Sequence, residues 1–185
     1  MYNEPEKELG TYADAAASVN TYYTTDDGTT GYYPDWGTTE YPEGGGYNET
    51  PEEFREKMCN FIDICGELGI YCIVDWHILT PGNPLDPKYS GADEFFRFIS
   101  NKYATKDHLI YEICNEPNNC LEKNNPEMPW ECTKDTSVTW EMIAEYANRV
   151  IPVIHYEYEA VGAQHPVVIV GTPQWDQLVD ACLKE

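Results

Sequence analysis

Hydrophobic and polar positions show no sustained period over residues 1–46, and a regular alternation of patterns begins only near residue 50. Thr50-Pro51-Glu52-Glu53 has the make-up of a helix start. Thr suits the N-cap, Pro suits the first helical position, and Glu53 is spaced to complete a capping box. Phe54, Met58, Phe61, Ile62, Cys65 and Leu68 then recur on one helical face, and Gly69 sits where a left-handed C-cap belongs. Ile70-Tyr71-Cys72-Ile73-Val74 follows as a continuous β-favouring run, the pattern of a parallel strand covered on both faces. The unit then repeats. A Pro/Gly-rich loop leads to a second amphipathic helix from about Gly91 to Tyr103, with Phe95, Phe96, Ile99 and Tyr103 inward, and to a strand over Leu109–Cys114. A polar loop, Asn118–Ser137, precedes a third helix from about Thr139, with a stripe of Trp140, Ile143, Ala147, Val150 and Ile154 and a kink expected at Pro152. A strand over Val167–Val170 comes next, and a fourth helix is expected from about Asp176.

Helix and strand in strict alternation predict a parallel sheet with right-handed crossovers. Polar and aromatic residues collect after each strand, as Asp75-Trp76-His77, Asn115-Glu116 and Gln174-Trp175, while the opposite ends carry only capping chemistry. A functional face at the carboxyl ends of the strands suits a β/α barrel or an open doubly wound sheet. No GxGxxG or GxxxxGK loop follows any strand, which weighs against nucleotide-binding open sheets. Leu109-Ile110-Tyr111-Glu112-Ile113-Cys114-Asn115-Glu116-Pro117 is the focal stretch. Pro117 lacks a donor and disfavours helix at Glu116, so the ladder should end there, leaving an amide and a carboxyl side by side at a strand end. Taken alone, Asn-Glu-Pro is equally compatible with an ordinary strand-to-loop turn.

Charge narrows the ligand classes. Lys and Arg total 11 against 33 Asp and Glu, a net charge of −22 that repels nucleic acid and polyanionic substrates and tolerates neutral ones. The 15 Tyr and 5 Trp supply flat faces on which neutral sugars stack, although a Tyr-rich loop accounts for many of them. Residues 1–46 read as a long acidic loop, with Trp36, Tyr32, Tyr33 and Tyr41 as an alternative ligand-facing rim. No apolar run approaches a membrane span. The 7 cysteines form no metal signature. Cys72 and Cys114 fall in apolar strands and Cys59 and Cys65 on the first helix, all as core residues. Cys120 and Cys132 bracket the polar loop and are expected to pair, with α-carbons within about 7 Å and a worth of roughly 3 kcal/mol by the loop-entropy argument.

The segments IYCIVDWHIL, FFRFISNKYATKDHLIYEICNEPN, YANRVIPVI and VVIVGTPQWDQ, in this order and strand context, resemble the central part of glycoside hydrolase family 5, and within it bacterial-type endo-β-1,4-glucanases. The resemblance runs from about Gly46 to Glu185. It implies an α/β fold, part of a (β/α)8 TIM barrel from about strands 2/3 to 5. Tyr2 would close the second strand, residues 1–46 would be that strand end with an enlarged loop, and 47–185 would be catalytic-domain barrel truncated at both ends. Residues corresponding to the family's first and last strands, including its nucleophilic glutamate, are expected to lie outside this chain.

The same resemblance implies retaining hydrolysis of β-glucan, with Glu116 as acid/base, Asn115 on the sugar 2-hydroxyl, His77 on another hydroxyl at the cleavage site, and Trp175 stacking under the leaving-group sugar. Tyr2 would line the site, and Asp75 and Glu112 would point into the barrel and anchor a hydrogen-bond network. Trp175 packed against the following helix is the bland alternative. His108, His155 and His165 receive no role. No metal or cofactor is required by this chemistry, and the substrate's insolubility implies an extracellular setting. A β-mannanase or mixed-linkage glucanase of the same fold and a non-catalytic carbohydrate-binding fragment are the competing readings.

Overall fold

A computed structural model describes residues 2–3, 21–24, 30–33, 47–78, 81–122, 134–135 and 138–183. Its centre is a parallel four-stranded sheet in the order β1-β4-β5-β8, with β1 at Tyr2–Asn3, β4 at Cys72–Trp76, β5 at Leu109–Glu112 and β8 at Val167–Ile169. Three helices, α1 (Pro51–Leu68), α2 (Ala92–Tyr103) and α3 (Trp140–Ala160), supply the crossovers. The register runs Tyr2 beside Asp75, Asp75 beside Glu112, and Glu112 beside Ile169. Those neighbours therefore share one face of the sheet.

The helices form where the apolar period placed them. Met58, Ile62 and Cys65 of α1, Phe95, Phe96 and Ile99 of α2, and Ile143, Val150 and Ile154 of α3 are buried in one cluster with Cys72, Val74, Leu109 and Tyr111 of the sheet. Trp76 is its centre: the ring is fully buried, with Tyr47 and Phe95 each at 5.4 Å between centroids. Burial on this scale stabilises by about 1.5–3 kcal/mol per large side chain and fixes the end of β4, from which His77 projects. Cys59, Cys65, Cys72 and Cys114 are buried thiols, as their positions predict.

Several expectations need correction. Gly69 does cap α1 in the left-handed conformation (φ 67), but Thr50 makes no side-chain capping bond, so the box with Glu53 does not form. The cap also consumes Ile70: its N–H bonds Cys65 O at 3.0 Å, and the strand starts two residues late, at Cys72. Leu68 is exposed, whereas Cys65 of the same turn is buried. Neither β4 nor β8 is covered on both faces. Ile73 is 45% exposed and Val167 62%, while their neighbours Cys72 and Val74 are buried under the helices. In a closed barrel this face points inward.

The segment read as structureless carries an antiparallel hairpin, β2 (Thr21–Thr24) with β3 (Thr30–Tyr33), in keeping with its β-favouring Thr and Tyr. The polar loop likewise holds an antiparallel pair, β6 (Cys120–Glu122) with β7 (Lys134–Asp135). Helix α3 runs through Pro152. The expected fourth helix is absent among the described residues, because Gln174, Trp175 and Asp176 have φ of 59, 54 and 62, left-handed values that no right-handed helix can start from. Turns and a short 3-10 segment, Ala181–Leu183, take its place. Cys120 is disulfide-bonded. Cys132, Trp36 and Tyr41 lie outside the described residues.

Candidate active site

Three strand ends deliver the polar residues singled out in the sequence. After β4, His77 Nδ1 lies 2.9 Å from Asp75 Oδ2. An ionised carboxylate can only accept, so with Asp75 ionised and the ring neutral the proton sits on Nδ1 and Nε2 is the acceptor. Across the gap to the next strand end, Asn115 Nδ2 lies 3.5 Å from that Nε2, a long contact. His77 and Asn115 are thus brought together although 38 residues separate them. Glu116 follows directly, half-buried.

Glu116 has φ 43, a left-handed value unusual for a side-chain-bearing residue and more so before a proline. Such a conformation costs on the order of 1–3 kcal/mol, and the surroundings hold it. Asn118, fully buried, donates from Nδ2 to Glu116 O at 3.0 Å and accepts from Cys120 N–H at 2.8 Å. Its own N–H bonds Gly82 O at 3.0 Å. Two residues upstream of Asn115, Tyr146 Oη donates to Ile113 O at 2.7 Å from helix α3. The loop after β8 closes over the other side: Gly171 N–H bonds Cys114 O at 3.1 Å and Trp175 N–H bonds Pro117 O at 3.0 Å.

Gly171 is the tight point of that closure. A β-carbon there would lie 2.5 Å from Pro117 Cδ and 2.6 Å from Cys114 O. Gly171→Ala must therefore push the Asn-Glu-Pro loop away from β8, and we expect a loss of about 1–3 kcal/mol in urea unfolding. An unchanged midpoint would mean that the two loops do not pack as described.

Trp175 is 39% exposed on this rim, and among the described residues only turns and the short 3-10 segment Ala181–Leu183 follow it. Of Tyr2 only the backbone is described, as the edge-strand neighbour of Asp75. Glu112 shares the sheet face of Asp75. Burial, followed by the charges of Asp75 and Asp176, pushes its carboxyl up to about 7. Burial raises Asp75 too, opposed by its bond to His77. Among the described residues no group of His, Cys, Asp and Glu is placed to hold a metal ion. His108 is structural, bonded to Ile62 O at 3.1 Å, and His155 stacks on His165 away from this rim. Asn118, Tyr146 and Gly171 were not among the residues singled out by sequence; each acts through a partner distant in the chain.

The sequence model of the cellulase family, glycosyl hydrolase family 5, matches residues 18–185. An endoglucanase of Halalkalibacter akibai is 35% identical over 130 residues, covering 70% of this chain and 15% of that protein. Endoglucanase E-5 of Thermobifida fusca is 38% identical over 130 residues, covering 69% of this chain and 22% of its own length. The crystal structure of the catalytic domain of Thermobifida fusca endoglucanase Cel5A superposes with a TM-score of 0.58 at 36% identity, over 75% of this chain and 38% of that one. A variant of the same catalytic domain has been solved in complex with cellotetraose. The chain thus spans well under half of each of these relatives.

Proposed function

The chain belongs to glycosyl hydrolase family 5, a family of cellulase-type hydrolases, and from this we propose that it carries the acid/base half of a retaining endo-β-1,4-glucanase site. The observation that carries the reading is the convergence of His77, Asn115 and Glu116 at adjacent strand ends, with Glu116 held in its left-handed conformation by Asn118. The cellotetraose complex of a relative supports a β-glucan as the ligand.

Glu116 gives its proton to the departing glycosidic oxygen, and then takes one from the water that releases the glycosyl-enzyme. Asn115 bonds the sugar 2-hydroxyl, a contact that tightens as positive charge develops at the anomeric carbon. With Nδ1 committed to Asp75, His77 Nε2 accepts a sugar hydroxyl. Trp175 offers an uncharged aromatic face to the leaving-group sugar, and Tyr2 is assigned to the lining of the site by the family resemblance. The attacking carboxylate of a retaining site stands about 5–5.5 Å from the acid, across the bond. We place it on strands outside this chain, in keeping with the open inner face around Ile73 and Val167. An extracellular site of action follows from a substrate too large to cross a membrane.

The test uses a barrel completed around this chain. With soluble β-1,4-glucan, internal cleavage should release the β-anomer first, as read by proton NMR before mutarotation, and mannan should be cleaved far more slowly. The α-anomer appearing first would exclude a retaining site, and preferential cleavage of mannan would move the substrate assignment.

A further inference from the structure

Gly82 is buried in the loop that follows β4 and His77. Its φ is not among the left-handed values, which belong to Gly69 and Gly162, so glycine is not required there by backbone conformation. Space requires it. A β-carbon at Gly82 would lie 2.3 Å from both the backbone oxygen and Oδ1 of Asn118, and 2.4 Å from its Cγ. No side chain fits at such distances unless something moves. The Gly82 backbone is also bonded twice to the turn that carries Glu116. Asn118 N–H donates to Gly82 O at 3.0 Å, and Gly82 N–H donates to Cys120 O at 2.8 Å. The Asn118 amide spans the same turn, accepting on Oδ1 from Cys120 N–H and donating from Nδ2 to Glu116 O. Its orientation is settled from both ends, since a backbone N–H can only donate and a carbonyl can only accept.

We infer that Gly82 is a positioning residue for Glu116 that acts through Asn118. The bare backbone of the loop after β4 is the wall against which the Asn118 amide sits, and that amide supports the left-handed conformation from which the Glu116 side chain projects. Neither flank of the wall is free to give way. Upstream, the buried Tyr89 donates from Oη to Pro81 O at 2.6 Å. Downstream, Cys120 is fully buried and disulfide-bonded.

A methyl group at position 82 is therefore accommodated by displacing the Asn118 amide, which takes Nδ2 away from Glu116 O. Without that donor, Glu116 at φ 43 relaxes toward the extended region that a residue before proline prefers. Its carboxyl then leaves the position from which it protonates the departing oxygen. The loops after β4 and β5 thus act as one unit, and the segment that continues from His77 also sets Glu116. The catalytic consequence rests on the glycosidase reading, but the mechanical link does not.

The experiment uses the barrel completed around this chain. In Gly82→Ala, the first step on β-1,4-glucan should slow by about 10²-fold, the scale of a misplaced catalytic group. An aryl cellobioside with a good leaving group scarcely needs the proton, and its first step should slow far less. A general loss of folded enzyme would slow both alike. Without substrate, the NMR cross-peak between the amide and α protons of Glu116, strong where φ is positive, should weaken in Gly82→Ala. Asn118→Asp keeps the shape of the side chain, but as a carboxylate it cannot donate to Glu116 O. It should show both changes, and the double variant should lose no more than either single one. Asn118→Asp also decides the matter where Gly82→Ala does not fold. Equal losses on the two substrates in folded Gly82→Ala overturn the inference, as does an undiminished Glu116 cross-peak in either variant. The cross-peak does not depend on which residue is the acid, and Glu116→Gln does not depend on Gly82, so the two readings fail separately.

Discussion

Glu116→Gln, in a barrel completed around this chain, should lose about 10²–10⁴-fold in kcat on β-1,4-glucan with KM nearly unchanged. That loss corresponds to about 3–5 kcal/mol of transition-state stabilisation, at 1.36 kcal/mol per tenfold. The amide keeps the shape of the side chain and the backbone anchor from Asn118, so sugar binding survives. What it lacks is the proton for the departing oxygen. An aryl cellobioside with a good leaving group scarcely needs that proton, and its first step should lose far less. Pre-steady-state measurement of bond cleavage on both substrates separates the cases. Equal losses in the first step would assign the acid role to another residue.

The 185-residue chain by itself should show no turnover of soluble β-glucan above a Glu116→Ala control. Retaining hydrolysis needs two carboxylates on opposite sides of one bond, and the other acids near Glu116 are occupied. Asp75 is bonded to His77 at 2.9 Å. Asp176 Oδ1 accepts from Thr172 N–H at 2.6 Å. Glu112 retains its proton up to about pH 7 and is a poor nucleophile below it. The open sheet face should also drive association, since Tyr71, Ile73, Val167 and Ile169 are exposed despite the net charge of −22. Turnover by the isolated chain that disappears in the control would place a working nucleophile within these residues.

The helices and the order of strands were legible because their signal is local. A stripe such as Ile143, Ala147, Val150 and Ile154 admits one face and one period, and Gly69 ends its helix as a glycine at C′ should. Strand limits were less legible because neighbours decide them. Ile70 and Tyr71 favour β structure, yet the N–H of Ile70 is drawn into the helix cap. The loop after β8 defeated the pattern altogether. Nothing in Gln174-Trp175-Asp176 signals consecutive left-handed residues, and the bond from Trp175 N–H to Pro117 O that holds them spans 58 positions of sequence.

The site divides in the same way. The polar residues at strand ends, His77, Asn115 and Glu116, stand out because a run of apolar residues stops at them. Their supports do not. Asn118 resembles any loop asparagine, and only the structure shows it buried under Gly82 with both ends of its amide engaged. Tyr146 looks like one more apolar-face residue of α3 until its hydroxyl is seen on Ile113 O.

The acid/base assignment is tested most directly by chemical rescue. In the completed barrel, Glu116→Ala is given an activated aryl β-cellobioside with and without azide. The small anion enters the space left by the carboxylate and attacks the glycosyl-enzyme without needing a base. Two successive inversions give the β-glycosyl azide, and steady-state turnover should rise with azide concentration. An α-glycosyl azide would mean a single displacement and make Glu116 the nucleophile, and an absence of any azide product would remove it from the reaction.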